Sequence, residues 1–215
     1  MNGNPEQIKK SCIKIIKRCL GVPCPNKFVE VNRRGDEILY SIAGYNTVRY
    51  QDPNRGTPCF LTPIFPEEFT GDTYWIALIL IFTSSLQPER MRGIRIRVFK
   101  GMAYDDEKLL LFRAEWDSPP YLNNHAQPHW HFDYPYLREK PVYPSDIIKD
   151  FDEKRNPEDE EILNKDIRLL TKFHFAMASC WHKDIKKQQI DFNKVEAFNW
   201  LEGCIIYIKE QLEQI

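Results

Sequence analysis

Ile94-Arg95-Ile96-Arg97-Val98-Phe99 alternates apolar and basic side chains. A period of two belongs to a β-strand with one face toward a core, so Ile94, Ile96 and Val98 are expected on one side and Arg95 and Arg97 on the other. Residues 108–116 repeat the pattern, with Leu110, Phe112, Ala114 and Trp116 sharing a face opposite Arg113 and Glu115. The intervening segment, 101–107, is short enough to make the two strands antiparallel partners. A third strand is expected at Pro128-His129-Trp130-His131-Phe132-Asp133, with Trp130 and Phe132 facing one way and His129, His131 and Asp133 the other. Placed side by side as a meander, the three strands gather Arg95, Arg97, Arg113, Glu115, His129, His131 and Asp133 on one exposed sheet surface. Ile96, Val98, Phe112, Trp116, Trp130 and Phe132 then enter the core.

Working outward, residues 28–32 and 37–42 read as strands joined by an Arg33-Arg34-Gly35-Asp36 turn, with a weaker strand at 47–50. Residues 74–82 are apolar on both faces and mark a central strand. The proline- and glycine-rich stretch 52–72 reads as one long loop, of the kind that covers a site or a partner surface. Asn4-Pro5 starts an N-terminal helix. Ile8, Cys12, Ile15, Ile16 and Cys19 form its apolar stripe, Lys9, Lys10, Lys14, Lys17 and Arg18 form a solvated face, and Gly21 ends it.

Beyond the strands, residues 146–161 are acidic and read as a linker. A helix follows from Asn156-Pro157, with Leu163, Ile167, Leu170, His174, Met177 and Trp181 as its stripe. A second begins near Asp191 or Asn193, where Glu196 completes a capping box, and buries Val195, Phe198, Ile205, Ile208, Leu212 and Ile215. The short 183–189 connection makes them an antiparallel hairpin. The expected fold is α+β: a largely antiparallel sheet with the N-terminal helix (1–145), an acidic linker (146–161) and a C-terminal antiparallel helical hairpin packed on the same domain (162–215).

With 215 residues, 42% hydrophobic and 13% aromatic, the chain has ample material for a core, which excludes a disordered protein. Thirty basic residues against 31 acidic ones give a net charge of −1, so overall electrostatics select no partner. The six cysteines (12, 19, 24, 59, 180 and 204) form no C-x-x-C pair, and Cys12 and Cys19 lie on an apolar helix face as small hydrophobes. A reducing cytoplasm is expected. Residues 1–6 lack the apolar stretch of a secretory leader, and the longest apolar run, 75–82, is too short to cross a bilayer.

Three of the five histidines fall at 125, 129 and 131. Two imidazoles two residues apart on a strand reach one divalent metal ion, with Asp133, Glu115 or His125 as a third ligand and water in an open position for hydrolysis. Without metal, His129 or His131 serves as general acid or base while Arg95, Arg97 and Arg113 neutralise a phosphate. The plain structural alternative is that the imidazoles hydrogen-bond to Glu115, Asp133 or loop backbone and hold the loops in place. His174 reads as a core histidine and His182 as a helix-end charge. The basic stretch 90–100 suits nucleic-acid phosphates, and equally suits pairing with Glu115, Asp117 or the acidic linker. Cys180 and His182 make a poor nucleophile pair, because neighbours on a helix point apart. Phosphate-loop, dinucleotide, nucleophile-elbow and zincin motifs are absent.

The order Phe112-Arg-Ala-Glu-Trp-Asp117, a proline-containing loop and Pro128-His-Trp-His131 resembles a local pattern of TumE-type bacterial toxin–antitoxin proteins over about twenty residues. The resemblance implies a small bacterial protein working with a partner in a conflict or defence operon, and directs attention to Arg113, Glu115, His129 and His131. Two functions are therefore expected. One is an accessory subunit that binds a protein partner, with nucleic-acid contact. The other is a metal-dependent hydrolase or nuclease with Glu115, His129 and His131 as catalytic groups, Arg95, Arg97 and Arg113 binding substrate, and His129, His131 and Asp133 as ligands.

Overall fold

A computed structural model describes residues 4–21, 27–44, 46–51, 57–65, 73–84, 90–118, 127–132, 175–176 and 193–214. In chain order these form α1 (Pro5–Leu20), β1 (Lys27–Arg34), β2 (Glu37–Ala43), β3 (Val48–Gln51), β4 (Pro58–Pro63), β5 (Thr73–Thr83), β6 (Arg90–Gly101), β7 (Leu109–Asp117), β8 (His129–Phe132), β9 (Phe175–Ala176) and α2 (Lys194–Leu212). The fold is α+β, and every strand pairing is antiparallel. Strands run in the order β1-β2-β5-β6-β7-β8-β9. β5 is the axis of the sheet: β6 pairs with it along its whole length, while its other edge is shared between β2 at one end and β4 at the other. β3 pairs in turn with β4.

Alternation decides what each face carries. One face of β5, β6 and β7 presents Leu78, Leu80, Ile94, Ile96, Val98, Ala114 and Trp116 to α1 and α2 in a continuous core. Burying each of the leucine, isoleucine and valine side chains contributes roughly 1.5–3 kcal/mol. α1 begins and ends as its sequence predicts: the Asn4 side chain accepts from the Glu6 N–H, and Gly21 takes the left-handed conformation at φ 66°. Burial pushes the Cys12 thiol up to about 12 and raises that of Cys204 as well, so both fill space as neutral thiols. The opposite face holds a second cluster in which Tyr50, Cys59 and Leu61 of β3 and β4 meet Leu39, Trp75, Ala77, Ile79, Ile81 and Phe99. Beyond that cluster, toward β7 and β8, the same face becomes polar.

Several expectations need correction. The 52–72 stretch is not loop throughout, because residues 58–63 form β4; Pro58 and Pro63 occupy its two end positions, where a missing N–H is tolerated. Leu110 does not share a face with Phe112. The β6–β7 register passes from Val98↔Phe112 to Phe99↔Leu110, and the extra residue, Leu111, turns Leu110 toward the second cluster. Lys9 leaves the solvated face of α1: its ammonium lies 3.6 Å from the Tyr40 ring centroid and 3.0 Å from Glu6 Oε1.

The C-terminal region also departs from expectation. α2 is capped by Asn193 as predicted, but Val195 is exposed and the buried stripe is Ala197, Leu201, Cys204, Ile205, Ile208 and Leu212. Small Ala197 and Cys204 let the helix approach the core, and a reading weighted to large side chains passes over them. The helical stripe expected from Leu163 to Trp181 fails at Phe175 and Ala176, which pair with β8 and meet the backbone groups of its outer edge. The rest of that stripe, the 146–161 linker, and Cys24, Cys180, His182 and Ile215 lie outside the described residues. Among the described residues, no helix is long and apolar enough to cross a membrane.

Candidate metal centre

The antiparallel register brings the predicted polar residues into two adjacent rows. One runs Ile79–Arg95–Glu115–His129 across β5, β6, β7 and β8, and the other runs Ala77–Arg97–Arg113–His131. The assumed meander is therefore the actual strand order. The surface is not an exposed one, however. His129 is 0% exposed, Arg97 4%, and Glu115 and His131 are also buried. Buried charge is costly unless it is paired, which makes the internal arrangement decisive.

Glu115 is the hub. Arg113 donates to its Oε1 at 2.6 Å, Arg95 Nε lies 3.9 Å from the same oxygen, and His131 Nε2 is 3.6 Å from Oε2. Burial by itself pushes the Glu115 carboxyl up, but the His131 contact and the guanidinium groups of Arg95 and Arg113 outweigh it and hold it well below the usual carboxylate range. Glu115 is thus an anion, as a metal ligand must be.

His129 and His131 face each other through their Nε2 atoms at 2.8 Å, with rings inclined at 73°. A neutral imidazole nitrogen either donates or accepts. A single proton between the two nitrogens joins the rings, but it leaves the carboxylate oxygen beside His131 outside the same bond. A divalent cation accepts lone pairs from all three groups together. One ligand atom from each of Glu115, His129 and His131 lies within 4.8 Å of the others. Two nitrogens bound to tetrahedral zinc at its ordinary bond length are roughly 3.3 Å apart, so rings whose Nε2 atoms stand 2.8 Å apart would part slightly to take the ion between them. Two imidazoles with one carboxylate also suit zinc, manganese or iron(II) by donor type. The donor set fits such an ion.

Glu115, His129 and His131 are therefore brought together as predicted, with Arg95 and Arg113 in contact with the hub. Arg97 sits one row away, directly opposite Arg113. Asp133 and His125, the other predicted ligands, lie outside the described residues, as does His174.

Two features escaped the sequence reading. Gln127 is buried, and its side-chain oxygen accepts from the Asp117 N–H at 2.9 Å, tying the end of β7 to the entry of β8 just before His129. Its position before Pro128 carries no signal that distinguishes it from an ordinary loop glutamine. Gly93 is the second: a Cβ there would fall 2.6 Å from Asp117 Oδ1. Its lack of a side chain leaves room for Asp117, whose Oδ1 is 4.0 Å from the Arg95 guanidinium.

No family model, curated protein or solved structure matches the chain.

Proposed function

We propose that the protein is a metal-dependent hydrolase whose divalent ion is held by Glu115, His129 and His131. The observation that carries this reading is the convergence of both Nε2 atoms and the Glu115 carboxylate within 4.8 Å in a buried, arginine-flanked site. An ion in such a site supplies Lewis acidity and an activated water. The chain's own contribution is to fix the ligands. Arg113 orients the Glu115 carboxylate, alternation along β8 puts both imidazoles on one face, the β7–β8 register sets them against Glu115, and burial excludes bulk water.

The test is elemental analysis of the purified protein, followed by hydrolysis assays with p-nitrophenyl phosphate diesters and carboxylate esters after loading with zinc or manganese. About one ion per chain is expected, and a His129→Ala/His131→Ala variant should lose both the ion and the hydrolysis. Absence of bound metal at neutral pH after loading, or hydrolysis that persists in the double variant, overturns the reading.

A second reading, an accessory subunit with a protein partner, draws on the outward side of α2, where Val195 and Ile206 lie three turns apart and are 64% and 39% exposed. This reading expects a co-encoded protein to elute with the chain and Ile206→Asp to release it. Elution of the chain alone after co-expression with its neighbouring genes removes it.

A further inference from the structure

The three arginines beside the centre are not equivalent. Arg113 is committed to Glu115 by a 2.6 Å hydrogen bond, and Arg97 is almost wholly buried in the adjacent row. Arg95 differs on each count. Its side chain keeps 29% of its exposure, so it stands where the buried layer meets solvent. Its nearest carboxylate oxygens, on Glu115 and Asp117, are 3.9 and 4.0 Å away, beyond hydrogen-bond distance. Among the described residues its buried Nε makes no hydrogen bond. Two carboxylates thus hold the guanidinium in position by charge while its donors are not saturated by them.

We propose that Arg95 is the substrate-binding group of this centre and that the substrate is a phosphate ester. The inference rests on the metal-hydrolase reading and adds the chemical class on which that reading acts. A planar guanidinium offers parallel N–H donors that match two oxygens of a phosphate. Because Arg95 lies beside Glu115, itself a ligand of the ion, the anion it grips is at the reacting position and not on a remote part of the substrate. A carboxylate ester is neutral at that position. A phosphate diester presents a negative charge there, with non-bridging oxygens to share between the ion and the guanidinium. Arg113 orients a ligand and so acts as a positioning residue.

The experiment compares wild type with Arg95→Gln and Arg95→Lys, each loaded with zinc or manganese and assayed for metal content. For the Gln variant, the ratio of kcat/KM on bis(p-nitrophenyl) phosphate to kcat/KM on p-nitrophenyl acetate should fall by about tenfold or more, mainly through KM. Inhibition by inorganic phosphate should weaken by a similar factor. The Lys variant keeps the charge without the fork and should fall between the two, so it carries the test if the Gln variant folds poorly. An unchanged substrate ratio and unchanged phosphate inhibition in a metal-loaded variant overturn the proposal and leave the metal centre standing. A protein that binds no metal overturns the centre itself, which is read independently from the elemental analysis.

Discussion

The row Leu78–Ile96–Ala114–Trp130 and its neighbour Ile79–Arg95–Glu115–His129 cross the same four strands one residue apart. The first stays apolar from end to end and faces the helices. The second is apolar only at β5, under Tyr50, Cys59 and Leu61, and then turns to guanidinium, carboxylate and imidazole. One backbone ladder thus supports a packed layer on one side and a charged layer on the other. The contrast separates side chains that are covalent neighbours: Trp116 packs in the apolar layer, and Glu115 holds the charged one together.

Substitutions that separate the two rows test that division. The largest effect is expected from Trp116→Ala, which empties a fully buried site packed edge-on to Trp200 at a centroid distance of 5.6 Å. Urea denaturation should show a loss of about 3–5 kcal/mol, with the metal content of the folded fraction unchanged. Arg113→Met should do the reverse. Removing the donor that orients Glu115 should weaken metal affinity by about 10- to 100-fold in a chelator competition, with a smaller change in stability. If instead Arg113→Met matches Trp116→Ala in denaturation and leaves metal affinity alone, the two rows share one structural role.

Acid sharpens the comparison further with a smaller effect. The folded carboxyl of Glu115 is held below its unfolded value, so the unfolded state takes up a proton first as pH falls. Its contribution to stability is complete above the ordinary glutamate value of about 4.3 and declines below it. The urea midpoint of the metal-free protein should therefore drop between pH 5 and 3, and Glu115→Gln should flatten that part of the profile. An identical slope in the two proteins would remove Glu115 as the source of the acid sensitivity.

Much of this arrangement is legible in the sequence because side-chain period and strand pairing obey simple geometry. Alternation over residues 94–99 and 129–132 assigns both faces, and the short connection between β6 and β7 sets their pairing. The Asn193 cap and the Gly21 stop are equally local. What escapes the sequence is non-local or depends on a single backbone irregularity. The extra residue at Leu111 reverses Leu110 without leaving a mark in hydropathy. β4 hides among prolines because only its ends bear them. Lys9 and Arg97 have side chains that read as exposed and are buried in the fold, Lys9 against the Tyr40 ring. At the site, the types and spacing of Glu115, His129 and His131 are readable. The distances that single out Arg95 from Arg113 belong to the folded ladder alone.

The Phe112 and Trp130 rings meet edge-on at a centroid separation of 5.3 Å on the helix-facing side of β7 and β8. A slip of β8 by one position would carry Trp130 into the charged layer and both imidazoles into the hydrocarbon one. The aromatic clasp therefore guards the alignment of the proposed ligands from behind, so a lesion at Trp130 itself, unlike one at Trp116, can extinguish the centre without touching any atom that would hold the ion.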